Sequence, residues 1–112
     1  MQIFKFGGAS VKDAAGVRNV AKILEKVGYA HSLIVISAMG KTTNALEVVV
    51  NSYFKEQEKL AESIQVIKDF HYHIIRELFT DENHPVYWKV DGLFAELTSF
   101  LERNKSPKHS FV

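Results

Sequence analysis

A lysine and two glycines lie close together near the start of the chain, in the stretch KFGGASV of residues 5–11. Glycine has no Cβ atom, so the backbone N–H groups of Gly7 and Gly8 can approach an anion closely. The Lys5 ammonium adds a positive charge beside them. These residue types predict a phosphate-binding turn. An ordinary strand-to-helix turn with a surface lysine is the alternative, because short glycine motifs also occur by chance.

The residues on either side of the glycines predict a strand before them and a helix after them. Residues 2–6 alternate around apolar side chains, which is typical of a strand. Ser10 is followed three residues later by Asp13, in front of an apolar periodic run, and this spacing predicts that Ser10 caps a helix. The partial positive charge at the N-terminus of that helix would then face the glycines.

A second strand follows that helix. Gly28 is predicted to end the helix, and Gly16 within it predicts close packing against a neighbouring element. Residues 33–36 form an unbroken apolar run, which predicts a strand buried on both faces of a parallel sheet. Because the carboxyl ends of parallel strands share one edge, residues 7–10 and 37–43 are expected to form one site.

The rest of the chain is predicted to be helical. Apolar residues recur at helical spacing from Leu46 to Phe54, from Leu60 to Leu78 and from Val90 to Leu101, with a turn at residues 80–85. Residues 104–110 are predicted to be a loop, and 110–112 to begin another strand. Two buried parallel strands cannot cover their own edges, so we expect this α/β chain to belong to a larger sheet.

Composition narrows the function classes. A chain of 112 residues is one domain at most, and its net charge of +1 gives no basic surface for nucleic acid or membrane. The absence of cysteine and of a signal peptide fits a cytoplasmic protein. His73 and Glu77 have a metal-chelating spacing but no third ligand nearby, so no metal site is predicted. Tyr87 and Trp88 are expected to pack the last helix.

The second loop, SAMGKTTN at residues 37–44, follows the buried strand and opens the next helix. Gly40-Lys41-Thr42 matches the end of the P-loop pattern, but Val35 stands where that pattern requires its first glycine. Without that glycine the loop cannot wrap phosphates as a P-loop does. Thr42 or Thr43 is also predicted to cap the helix.

Together the two loops resemble the aspartokinases, members of the amino acid kinase family. KFGGASV at residues 5–11 is similar to the opening signature of these enzymes, and VISAMGKTTN at residues 35–44 is similar to their second motif. The order and separation also agree. The resemblance implies that residues 1–112 are the N-terminal part of an amino acid kinase domain, an αβα sandwich represented here by a parallel βαβ unit and a helical segment.

The resemblance further implies phosphoryl transfer from Mg-ATP to the side-chain carboxylate of L-aspartate, giving 4-phospho-L-aspartate, the entry step to lysine, threonine and methionine. ATP and Mg²⁺ are the implied cofactors, and the full-length enzyme is implied to be a homo-oligomer. By the same carry-over, Lys5 is the catalytic residue, and the phosphate and substrate sites are formed by two sets of residues: Lys5, Gly7, Gly8 and Ser10 for the phosphates of ATP, and Ser37, Ala38 and Thr43 for aspartate.

Two features depart from the family. The family usually has threonine where this chain has Ala9, so either Ser10 supplies the missing hydroxyl or the position tolerates alanine. Whole aspartokinases are several times longer, so we expect this chain alone not to turn over ATP. The alternative function is a non-catalytic interaction module derived from the family, in which the helices after Thr42 bind a partner.

Overall fold

A computed structural model describes residues 1–103, and the predictions for residues 104–112 lie outside this part of the chain. Its main elements are β1 (Gln2–Phe6), α1 (Ala14–Val27), β2 (Ser32–Ile36), α2 (Thr42–Lys55), α3 (Leu60–Leu78) and α4 (Pro85–Arg103). Short 3-10 turns lie at Gly8–Val11 and Gln57–Lys59. This order confirms an α/β chain in which a strand-helix-strand unit precedes a helical segment.

The chain divides into two compact units, which are described separately. The first is Met1–Thr43, and the second begins at Asn44. In the first unit β1 and β2 pair in parallel, with Lys5 opposite Val35 and Phe6 opposite Ile36. The predicted parallel arrangement is confirmed, and it brings the ends of both strands to the same edge of the sheet.

The two faces of this sheet differ in burial. On one face Phe4, Phe6 and Ile34 are half-buried, whereas Ile36 at the end of β2 is 55% exposed. Ile34 shares a shallow cavity with residues of α1. On the other face Ile3, Leu33 and Val35 are 64%, 49% and 43% exposed. The prediction that β2 is buried on both faces is therefore wrong for residues 1–103. Here the sheet has two strands, each of them an edge, and α1 covers only one face.

The connection from β1 to α1 also differs from the prediction. Ser10 does not cap α1; it lies inside the 3-10 turn, where its N–H donates to the Gly7 carbonyl at 3.0 Å. Asp13 is the N-cap, and its carboxylate accepts from the Gly16 N–H at 2.8 Å. The negative charge of Asp13 stabilises the N-terminus of α1. The partial positive charge at the N-terminus of α1 is therefore already paired with the Asp13 carboxylate.

Gly16 allows the first turn of α1 to pack against the 3-10 turn. A Cβ atom added to Gly16 would lie 2.5 Å from the Ser10 carbonyl oxygen and 3.2 Å from a carboxylate oxygen of Asp13. The carbonyl belongs to the backbone and cannot rotate away. The predicted close packing at Gly16 is confirmed, and its neighbour is the backbone of Ser10.

We predict that Gly16→Ala destabilises the chain by about 1–3 kcal/mol, because the clash outweighs the higher helix propensity of alanine. Gly92→Ala in α4 is the matched control, since a Cβ atom there has no neighbour within 4 Å. This control should raise the free energy of unfolding by about 0.5–1 kcal/mol. Urea unfolding of both variants measures the two changes. Stabilisation by Gly16→Ala would show that the contact with Ser10 imposes no constraint.

The second unit is organised around α3. The buried residues Val49 of α2 and Ile64 and Ile67 of α3 form its core, against which further apolar side chains pack: Ala45, Leu60, Phe94 and Leu101. A buried polar contact accompanies them, since the hydroxyl oxygens of Ser52 and Ser63 lie 2.9 Å apart. The Ser63 hydroxyl also lies within donating distance of the Lys59 carbonyl, at 2.9 Å. The predicted helical periodicity of these segments is confirmed.

The connection from α3 to α4 is held by side chains at the predicted turn. Pro85 begins α4, where its missing N–H costs no hydrogen bond. The His84 ring accepts from the Val86 N–H at 3.1 Å, and the Tyr87 hydroxyl donates to the Phe79 carbonyl at 2.5 Å. Trp88, by contrast, is 64% exposed, so its predicted packing against the helices is wrong. No helix within residues 1–103 is long and apolar enough to cross a membrane.

Tyr72 of α3 is linked to α4 by a hydrogen bond from its hydroxyl to the Asp91 carboxylate. Burial, with this hydrogen bond and the negative charge of Asp91, raises the pKa of Tyr72 to about 12, while Arg76 opposes the shift. The unfolded chain releases this proton near pH 10, about two units earlier. The stabilisation is therefore fully present below pH 10 and is lost as the pH rises towards 12.

We predict that the native chain loses its stability advantage over Tyr72→Phe as the pH is raised from about 10 to about 12. The reason is that the unfolded chain releases the Tyr72 proton at a lower pH than the folded chain does. Urea unfolding of both proteins across that range measures it. Tyr29→Phe is the control, because it removes the same phenolic hydroxyl from an exposed tyrosine of the first unit. A difference between native chain and Tyr72→Phe that stays constant over the range would contradict the linkage.

Candidate functional site

The two predicted loops meet at the edge of the sheet where β1 and β2 end. Just beyond β2, the Ser37 N–H donates to the Phe6 carbonyl at 2.9 Å. Further along, the Gly40 N–H donates to the Gly8 carbonyl at 3.2 Å. The backbone pairing of the strands therefore continues into the loops. The structure brings residues 7–10 and 37–43 together, as the parallel arrangement predicted.

Gly8 is required by the second loop itself. A Cβ atom added to Gly8 would lie 2.9 Å from the Gly40 carbonyl oxygen and 3.2 Å from the Ala38 carbonyl oxygen. Both neighbours are backbone atoms, so any side chain at this position would push the loops apart. The sequence analysis attributed the glycine at position 8 to the close approach of an anion. The structure gives a second reason, namely the close approach of the loop at Ala38–Gly40.

Gly7 has no such neighbour. A Cβ atom on Gly7 would meet nothing within 4 Å, and its φ of −77° with ψ of 174° is ordinary extended backbone. Neither conformation nor packing in the described chain therefore requires glycine at this position. An external group that approaches the backbone closely would require it. The phosphate-binding role predicted for Gly7 stays a prediction.

The other residues of the first loop are accessible. Lys5 is exposed on the sheet face that α1 does not cover, one residue before β1 ends. Within residues 1–103 its ammonium forms no ion pair with an acidic side chain. Ser10 is also exposed, and although its N–H is occupied by Gly7, its side chain lies at the surface. The roles predicted for Lys5 and Ser10 stay predictions.

In the second loop, two adjacent threonines have different environments. Thr42 is buried, and its hydroxyl donates to the Met39 carbonyl at 2.5 Å, which holds the loop in its turn. Thr43 is exposed in the first turn of α2. Ser37 and Ala38 are exposed as well. Thr42 therefore stabilises the loop, and the three residues predicted to bind substrate present themselves to solvent at one edge.

The structure adds two groups that the sequence prediction did not assign. Gly40 has a φ of +54°, which favours glycine, and its N–H bonds the first loop. The sequence signal that could have identified Gly40 is its position between the second strand and the Lys-Thr-Thr run. In the 3-10 turn Gly8–Val11, the first N–H groups have no carbonyl partner inside the turn. The backbone N–H of Ala9 is thus available as a hydrogen-bond donor, independently of the side chain at this position.

No group of three or more His, Cys, Asp or Glu side chains in residues 1–103 could hold a metal ion. His73 Nε2 and Glu77 Oε1 do lie 3.1 Å apart on the surface of α3.

We predict that Gly8→Ala destabilises the chain by about 1–3 kcal/mol, because its Cβ would overlap the backbone of the second loop. Gly7→Ala is the matched variant, one residue away and without a neighbour, and should change stability by less than about 0.5 kcal/mol. Thermal or urea unfolding compares them. If both variants were equally stable, Gly8 would not control the approach of the loops.

Two curated relatives match most of this chain. It is 35% identical over 83 residues to "Aspartokinase 1, chloroplastic" of Arabidopsis thaliana, a match that covers 70% of this chain and 14% of the relative. It is 36% identical over 80 residues to "Aspartokinase 2, chloroplastic" of the same plant, covering 68% of this chain and 14% of the relative. No family model matches the chain. The chain thus spans about one seventh of the length of these relatives.

These matches agree with the resemblance predicted from the two loops. Both relatives bear the name aspartokinase, and the similarity extends well beyond the length of either loop. This chain is therefore an aspartokinase-related sequence.

Proposed function

We propose that the two loops form part of the active site of an aspartate kinase, which transfers a phosphoryl group from Mg-ATP to the side-chain carboxylate of L-aspartate and yields 4-phospho-L-aspartate. The observation that carries the proposal is the junction of the loops at Gly8, where a first loop containing a lysine and glycines lies against a second loop with exposed Ser37 and Thr43. The similarity to the two aspartokinases supports it.

The first loop has the groups that phosphoryl transfer requires. In the transition state negative charge spreads over the oxygens of the transferred group, and catalysis consists mainly of positioning and of charge stabilisation. Backbone N–H groups at Gly7 and Gly8 would cradle this group, and the Lys5 ammonium would offset its charge. Gly7 fits a closely approaching phosphate because nothing within residues 1–103 requires glycine at this position. Bound Mg²⁺ would neutralise charge on the phosphates of ATP.

The second loop would hold the acceptor. Hydroxyl groups and a backbone N–H are suitable donors for a carboxylate, and Ser37, Ala38 and Thr43 offer them at the exposed edge. The backbone hydrogen bonds from Ser37 to Phe6 and from Gly40 to Gly8 would set the distance between the phosphate site and the aspartate site. This positioning matters because a misplacement of about 1 Å can cost a hundredfold in rate.

The experiment is a titration of this chain with Mg-ATP and then with L-aspartate, followed by the backbone amide signals in NMR. We expect Mg-ATP to shift the signals of Gly7 to Ser10 and L-aspartate to shift those of Ser37, Ala38 and Thr43. Thr43→Val should weaken the aspartate response at least about tenfold, since a lost hydrogen bond to a charged group contributes about 1.5–3 kcal/mol. L-glutamate is the ligand control.

Thr42→Val is the matched control variant. It removes a hydroxyl that supports the loop, so it should lower the stability of the chain by about 1 kcal/mol while the Thr43 contact to aspartate remains. Absence of shifts in both loops at millimolar ligand would overturn the proposed site and favour the non-catalytic interaction module. Aspartate-dependent release of ADP by this chain would contradict the expectation that it is inactive alone.

A further inference from the structure

His84 caps the N-terminus of α4 with its side chain. Pro85, the first residue of the helix, has no N–H, so the Val86 N–H is the first donor of the helix. The Nδ1 atom of His84 accepts from that N–H at 3.1 Å, and the His84 carbonyl accepts from the Tyr87 N–H at 3.1 Å. Serine, threonine, asparagine or aspartate usually supplies the side-chain acceptor at this position. Histidine differs from all of them, because protonation at neutral to mildly acidic pH changes its acceptor.

The protonation state of His84 follows from its hydrogen-bond partner. A backbone N–H can only donate, so Nδ1 is the acceptor and carries no proton in this structure. The single proton of the neutral ring then lies on Nε2, and the imidazolium that forms in acid gains its second proton at Nδ1. Protonation therefore removes the acceptor and turns Nδ1 into a donor that faces the Val86 N–H.

Two electrostatic effects act on the imidazolium of the half-buried His84 ring. The partial positive charge at the N-terminus of α4 repels it. The Phe79 ring, whose centroid lies 4.3 Å from that of the His84 ring, attracts it by a cation–π interaction. Each effect changes an equilibrium constant about two- to fivefold, so the two nearly cancel. Loss of the N-cap bond, which costs about fivefold, therefore decides the sign against the protonated ring.

Within residues 1–103, no carboxylate forms an ion pair with His84 that would offset this loss. The charged residues around it lie in the last turn of α3, in the connection and in the first two turns of α4: Arg76, Glu77, Asp81, Glu82, Lys89 and Asp91. The Asp81 carboxylate accepts from the Asn83 N–H at 3.0 Å, and the Asp91 carboxylate accepts from Tyr72. Glu77 pairs with His73 on the surface of α3.

We propose that His84 is a pH-sensitive cap, which holds the start of α4 against α3 at neutral pH and releases it in mild acid. Tyr87 lies in the turn that the cap fixes, and it contacts the Phe79 carbonyl through its hydroxyl and stacks on the Tyr72 ring. Phe94, further along α4, packs on the core of the second unit and stays in place. The stabilisation by the cap is present at about pH 8, where the ring is neutral, and is lost as the pH falls towards about 5.

The first test compares the native chain with His84→Asn, which retains an N-cap acceptor but cannot be protonated in this range. Urea unfolding at about pH 8 and about pH 5 measures the folding equilibrium constant of both proteins. We expect the constant of the native chain, relative to that of His84→Asn, to fall about fivefold between these two pH values. His84→Ser should behave as His84→Asn does, whereas His31→Asn, at an exposed histidine of the first unit, should retain the native pH dependence. A ratio that is the same at both pH values would overturn the proposal.

The second test locates the release within the chain. In NMR spectra recorded from about pH 8 to about pH 5, the backbone amide signals of Val86 and Tyr87 should move together with the ring signals of His84. The amide signal of Ile67, in the core of the second unit, should not follow them. In His84→Asn the Val86 and Tyr87 signals should stay in place. Val86 signals that do not follow the titration of the ring would refute the cap, and a simultaneous change at Ile67 would refute a local release.

Discussion

The structure of the first unit depends on the absence of one methyl group. At Gly8 the backbone of the first loop lies so close to Ala38 and Gly40 that a Cβ atom would be within 2.9 Å of a carbonyl oxygen. That approach permits the hydrogen bond from Gly40 to Gly8, and together with the bond from Ser37 to Phe6 it extends the parallel ladder past the strands. Two surface loops, which would otherwise move independently, thereby become one edge.

Around this junction, supporting and exposed residues alternate. Gly8, Thr42 and Gly16 hold backbone segments together, through close approach or a hydroxyl bond to a carbonyl. Their neighbours Gly7 and Thr43 are exposed and have no such structural task in the described chain. A rigid support with accessible groups beside it is the arrangement that positional catalysis requires. The adjacent pairs allow stability and ligand binding to be tested separately by single substitutions.

The second unit follows a different physical rule, since its stability depends on the apolar periodicity of helices. Ile64 and Ile67 of α3 face Val49 of α2, while Phe94 and Leu101 bring α4 onto the same core. One neighbouring helix covers only part of the circumference of α4, so large apolar side chains such as Trp88 and Leu93 remain exposed.

The sequence by itself determined the strands, the long helices, the parallel unit and the position of both loops, because apolar periodicity and glycine placement are local signals. It also carried the similarity to the aspartokinases. Tertiary structure alone decided that Asp13 rather than Ser10 caps α1, because the 3-10 turn places Ser10 before the helix begins. It likewise exposed one face of β2 and the ring of Trp88. Burial depends on which elements cover a residue, and a neighbour distant in sequence leaves no local signal in the pattern.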